Sequence, residues 1–118
     1  MGGSEPPGQL RFFFDAGSGA VLWGDIGPAD LDELPVSAAL RASLDSLVEQ
    51  YDESLNWDYP PDPGSWREAR CSRFNADVRA ALNRLRVELG QDVEDGFTEL
   101  HEDPDLDRYL ADPKGFKR

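Results

Sequence analysis

Two stretches of this chain repeat one hydrophobic spacing. Leu40, Leu44, Leu47, Val48, Tyr51 and Leu55 fall at offsets 0, 4, 7, 8, 11 and 15. Phe74, Val78, Ala81, Leu82, Leu85 and Leu89 fall at the same offsets. That spacing holds apolar side chains on one face of a 3.6-residue helix. Ser37 stands before the first stripe as an N-cap, and Asp45, Glu49, Asp52 and Glu53 take its opposite face. Ser65-Trp66-Arg67-Glu68 opens the second as a capping box, in which Ser65 and Glu68 satisfy each other's backbone donors. Gly90 follows the last leucine as a C′ residue. Two helices with matching stripes and a loop of about ten residues pack antiparallel.

The pattern shortens outside the helices. Leu10–Phe14 and Ala20–Trp23 are β-prone runs, and Asp15-Ala16-Gly17-Ser18-Gly19 between them supplies the positive-φ positions of a hairpin turn. The three phenylalanines Phe12–Phe14 point to a strand covered on both faces, or to an aromatic edge. Gly24–Pro35 is an acidic connector in which Leu31 and Leu34 allow one helical turn. Gln91–His101 reads as extended, anchored by Val93, Phe97 and Leu100, with a bulge or turn at Asp95-Gly96. Asp103-Pro104 predicts the N-cap and first residue of a short helix with Leu106, Tyr109 and Leu110, closed by Asp112-Pro113. The predicted fold is α+β. An N-terminal β-hairpin plus a later strand form a small antiparallel sheet, packed on an antiparallel two-helix pair, with a short C-terminal helix. Residues 1–8 form a flexible tail, 9–112 a single domain and 113–118 a short basic tail.

Charge sharpens this picture. The 118 residues carry 24 acids and 12 bases, a formal charge of −12. Such a surface repels nucleic acid and anionic membrane and attracts basic partners. Residues 1–62 hold twelve acids and two bases, while residues 63–90 hold three acids and six bases. The second helix is therefore a basic rod between acidic segments. One cysteine forms no intramolecular disulfide and fits a reducing cytoplasm. The polar start lacks a signal-peptide core, Pro6 breaks the myristoylation pattern, and no run is long enough to span a bilayer. Ten arginines against two lysines, with abundant Ala, Gly, Pro and Asp, match the product of a GC-rich bacterial gene.

Catalytic and ligand motifs are weak. Gly17-Ser18-Gly19 lacks the third glycine and the following helix of a dinucleotide loop. Asp103, Asp105 and Asp107 begin like a calcium loop, but Arg108 and Lys114 occupy its glycine and glutamate positions. His101, the only histidine, sits among Glu99, Glu102 and Asp103. Cys71 lies near Arg67, Arg70 and Arg73, which favour a lowered thiol pKa. No nucleophile, base and orienting group align, so neither catalysis nor a cofactor or metal is expected. The six arginines of the second helix flank its stripe on both sides and form no phosphate-tracking patch.

Leu34-Pro35-Val36-Ser37, Tyr51 to Trp57, Pro61-Asp62-Pro63 with Trp66, Phe74-Asn75, and Leu85 to Gly90 resemble a group of short actinobacterial proteins of uncharacterised function. The likeness covers roughly residues 34–93 and is most specific between the helices. Such proteins resemble, in size and acidity, the immunity proteins of bacterial toxin systems. The resemblance supplies no catalytic residue. The loop between the helices is the remaining candidate site, with Asp52, Glu53, Trp57, Asp58, Tyr59, Asp62 and Trp66 as partner-binding residues. Aromatics give a binding patch its energy and acids select a basic partner. The expected function is a small acidic inhibitor or immunity-type module that neutralises a basic protein, such as a toxin. The alternative is a structural or regulatory subunit that self-associates through the aromatic edge at Phe12–Phe14.

Overall fold

The computed structural model describes residues 9–59 and 61–117. The tail expected over residues 1–8 lies outside the described residues. Three short strands come first: β1 (Arg11–Phe12), β2 (Leu22–Gly24) and β3 (Gly27–Pro28). A 3-10 turn at Leu31–Glu33 leads to the long helices α1 (Ala38–Glu53) and α2 (Glu68–Leu89). Strand β4 (Glu94–Asp95) and helix α3 (Leu106–Ala111) complete the chain. The architecture is α+β, as the pattern predicts.

The sheet order is β3-β2-β1-β4. β1 and β2 form the antiparallel hairpin, with Phe12 opposite Leu22. β3, unforeseen in the acidic connector, pairs antiparallel with β2. Its Pro28 is tolerated because the strand lies at the sheet edge. β4 pairs parallel with β1, Arg11 facing Glu94. The sheet is therefore mixed, which corrects the all-antiparallel expectation. Parallel pairing needs a long crossover, and the two helices provide it. Gly90, at φ 67°, turns the chain out of α2. Arg86 then holds the carbonyl of Val93 at 2.7 Å, and Glu94 N–H reaches the carbonyl of Leu10.

The helices run antiparallel, tied at both ends. Ser37 Oγ accepts from Leu40 N–H as the α1 cap, while its own backbone N–H donates to Glu88 Oε1 near the end of α2 at 2.6 Å. At the other end Arg70 meets Glu53 at 3.5 Å. The stripes face inward: Leu40, Leu44 and Leu47 from α1 and Phe74, Val78, Leu82 and Leu85 from α2 are buried with Phe12, Leu22 and Val93 of the sheet region. Leu55 falls beyond the end of α1.

The Ser65–Glu68 capping box does not form. Burial of Trp66 holds the approach extended, with Arg67 at φ −82° and ψ 165° and no side-chain cap. Glu68 instead exchanges bonds with Glu102: each backbone N–H donates to the other's carboxylate, at 3.0 and 2.9 Å. Asn75, buried in α2, holds the extended segment the same way. Its Nδ2 donates to the carbonyl of Leu100 and its Oδ1 accepts from Leu100 N–H. Helix α3 starts two residues later than predicted, after Asp103 accepts from Asp105 N–H in a preceding turn.

The Phe12–Phe14 run is covered at Phe12 and only partly covered at Phe13 and Phe14. β1 lies inside the sheet, and Phe12 is fully buried. Phe13 stacks on Trp23 at 4.8 Å, and Phe14 stacks on Tyr51 at 4.9 Å. Phe13 and Phe14 remain half-buried in these stacks.

Candidate functional site

The hinge between α1 and α2 is built around Asn56. Its Oδ1 accepts from the backbone N–H groups of Asp58 and Tyr59, each at 3.1 Å. Its Nδ2 donates to the carbonyl of Pro63 and to the Tyr109 hydroxyl, at 3.2 and 3.0 Å. One amide thus folds the loop and fastens it to α3. Gly64 allows the loop to return against the helix end: a Cβ there would lie 2.0 Å from the carbonyl oxygen of Ser54.

Trp57 and Tyr59 are both exposed, at 57% and 59%. Trp57 is nevertheless fixed. Its indole N–H donates to the carbonyl of Asp52 at 2.7 Å. A Cβ on Gly17, in the hairpin turn, would sit 3.7 Å from the Trp57 ring. The Asp52 carboxylate accepts from Gly17 N–H at 3.1 Å, so the hairpin tip, the end of α1 and Trp57 form one knot. Burial pushes the Tyr51 hydroxyl pKa up, and the nearby Asp15 and Asp52 carboxylates add to that rise. Asp15 stands two residues before Gly17 in the hairpin turn that Asp52 holds, a placement the linear sequence did not reveal.

The remaining expected residues separate into two groups. Glu53 pairs with Arg70. Asp58 is exposed and Asp62 half-exposed, and among the described residues neither has an ion-pair partner. Trp66 leaves the patch. It is 7% exposed, its ring packs on Phe74 at 5.3 Å, and the Arg70 guanidinium covers it at 4.3 Å. A Trp next to a helix start and flanked by loop looks accessible in sequence, but here it seals the core.

The weaker chemical candidates resolve into structural roles. Cys71 is buried, and burial pushes its thiol pKa up, with Glu68 and Glu102 adding to the rise. The nearby arginines are turned elsewhere: Arg67 faces Asp107 and Glu102, and Arg70 faces Glu53. His101 Nδ1 lies 3.2 Å from Glu68 in an exposed pair. Asp105 meets Arg108 and Asp107 meets Arg67, so the calcium-like spacing is spent on ion pairs. Among the described residues no group of three or more acidic, His or Cys side chains is arranged to hold a metal ion. Nor is any described helix long and apolar enough to cross a membrane.

The chain thus presents a small α+β scaffold with an acidic, aromatic loop held rigid against a hairpin tip. It belongs to the Serratia CdiI immunity protein-like family, whose model matches residues 9–99. The match takes in the sheet, both long helices and the hinge, and stops before α3. No curated protein matches the chain. Sequence reasoning passed over Asn56, Tyr109 and Leu110. An Asn followed by Trp-Asp-Tyr-Pro is a usable turn signal, but its link to Tyr109 spans 53 positions.

Proposed function

We propose that this protein is an immunity protein that neutralises a toxin by binding it directly, through the hinge loop and the hairpin tip. The observation that carries this reading is the family match over residues 9–99. The geometry agrees with it. Trp57 and Tyr59 offer large apolar area, and the bonds of Asn56 and Trp57 hold the loop before binding, which lowers the ordering cost. Asp15, Asp52, Asp58 and Asp62 give that surface its sign. A basic toxin is the partner such a surface selects, and a toxin that acts on nucleic acid would find carboxylates where substrate phosphates sit. On this reading the protein works in the cytoplasm, without catalysis or cofactor.

The test is binding to the cognate toxin domain, with protection of cells that express it. The Trp57→Ala, Asp58→Ala double variant is expected to bind at least about 100-fold more weakly, since a central aromatic and an adjacent charge each contribute at hot-spot scale. Unchanged affinity would move the interface elsewhere. Failure of the wild type to bind or protect would remove the immunity reading.

A further inference from the structure

A cleft of about 300 Å³ opens between the hinge and α3. Trp57 and Asp58 line it from the hinge, and Tyr109 and Leu110 from α3, with Leu55 and the buried Leu106 completing it. Isolated exposed apolar side chains are ordinary. Here two of the largest, Trp57 and Leu110 at 57% and 53% exposure, converge on one concavity from elements far apart in the chain. The Asn56–Tyr109 bond sets the spacing of the walls in advance.

The charge of the cleft is as specific as its shape. The Asp58 carboxylate has no ion-pair partner among the described residues. Arg108, the basic residue of α3, is occupied by Asp105, by the carbonyl of Lys117 and by the ring of Phe116 at 4.7 Å. An apolar guest would desolvate Asp58 without compensation. An acidic guest would meet Asp58 within a protein of charge −12. A side chain with an apolar stem and a cationic head satisfies both walls and carboxylate.

We propose that this cleft receives one arginine side chain of the partner. The stem lies along Leu55 and Leu110, the guanidinium plane lies on Trp57, and its N–H fork meets Asp58. Arginine suits the site better than lysine because its flat, weakly hydrated head both stacks and bonds bidentately. The partner's identity as a toxin rests on the immunity reading, whereas the chemistry of the cleft does not. Tyr109 and Leu110 lie outside the residues matched by the family model.

The probe is N-acetyl-arginine amide, titrated into the full chain to about 20 mM, since single side-chain fragments bind in the millimolar range. Amide and indole NMR signals are followed, with N-acetyl-lysine amide and N-acetyl-norleucine amide as comparisons. Saturable shifts are expected at the Trp57 indole and at the Tyr109 and Leu110 amides, strongest for arginine. Asp58→Asn and Leu110→Ala, both at exposed positions, should each weaken the response about tenfold, while Glu49→Gln on the far face of α1 leaves it unchanged. Equal binding of norleucine or lysine overturns the arginine assignment. So do shifts that never saturate or that spread equally to Asp45 and Glu49 on α1. A protein that protects against the toxin while its cleft ignores arginine loses this inference alone. A cleft that takes arginine in a protein without toxin affinity loses the immunity reading alone.

Discussion

Asn56, Gly64 and Asn75 show how single residues fix the loops around the hinge and the extended segment after α2. Asn75 satisfies both backbone groups of Leu100, so Asn75→Ala leaves a donor and an acceptor without partners in a mostly dry site. The expected loss is about 2–3 kcal/mol, read from urea denaturation. Gly64→Ala drives a methyl into the carbonyl of Ser54, a backbone group that cannot rotate away. About 2–3 kcal/mol of overpacking strain follows, with the hinge displaced, and the same denaturation measures it. Cys71 is a packing residue with a raised pKa. Its reaction with a thiol reagent at neutral pH should be slow in the native protein and fast in urea. Equal rates would mean that the thiol is open to solvent. Of these roles, the sequence signals only the turn-forming tendency of Asn56 and Gly64, not the pairing of Asn75. Their partners at Leu100 and Ser54 exist only once the chain has folded.

At the scale of elements, the junction of Ser37 with Glu88 fixes the helix pair. Ser37→Ala removes a cap bond to Leu40 and a hydroxyl bond to Glu88, and about 1–2 kcal/mol is expected to be lost. The bond from Ser37 N–H holds the Glu88 carboxyl below the ordinary glutamate range. Partial desolvation opposes this, and Arg84 and the Ser37 hydroxyl add to the lowering. Because the folded-state value is the lower one, the stabilisation is full above the unfolded value and fades as pH falls through the folded value. Wild type should therefore exceed Glu88→Gln in melting temperature at neutral pH, and the gap should close below about pH 4. A gap independent of pH would show that Glu88 contributes no ionic stabilisation. The long helices were legible because six apolar positions each repeat one period. The strands, at two or three residues, are too short to display a period of two. β3 hid in the acidic connector, and the parallel sense of β4 depends on where α2 delivers the chain.

At the scale of the molecule, charge is divided between two uses. Arg67 at the α2 N-cap and four of the five arginines within α2 face carboxylates of other segments or of their own helix. The acid excess of residues 1–62 has only Arg41 and Arg70 as partners among the described residues, at Asp32 and Glu53. Most carboxylates of that half therefore stay outside ion pairs among the described residues. On the proposed reading of a basic toxin partner, association should slow by about tenfold or more between low and high salt, with dissociation nearly unchanged, since screening acts mainly on the encounter. Stopped-flow tryptophan fluorescence checks this, and a salt-independent rate would point to an uncharged interface.

The sequence alone determined the helix pair, the hairpin turn, the acidic loop and the sign of the surface. These follow from local periodicity, turn chemistry and charge, which need no distant partner. Only the tertiary structure decided that Trp66 is core while Trp57 is surface, and that Asp15 joins the hinge. It also replaced the predicted capping box with a Glu68–Glu102 exchange and turned α3 into a wall of the Trp57 cleft. Each of these depends on which residues meet across many positions of chain, and burial and pairing are properties of that meeting rather than of the residue types.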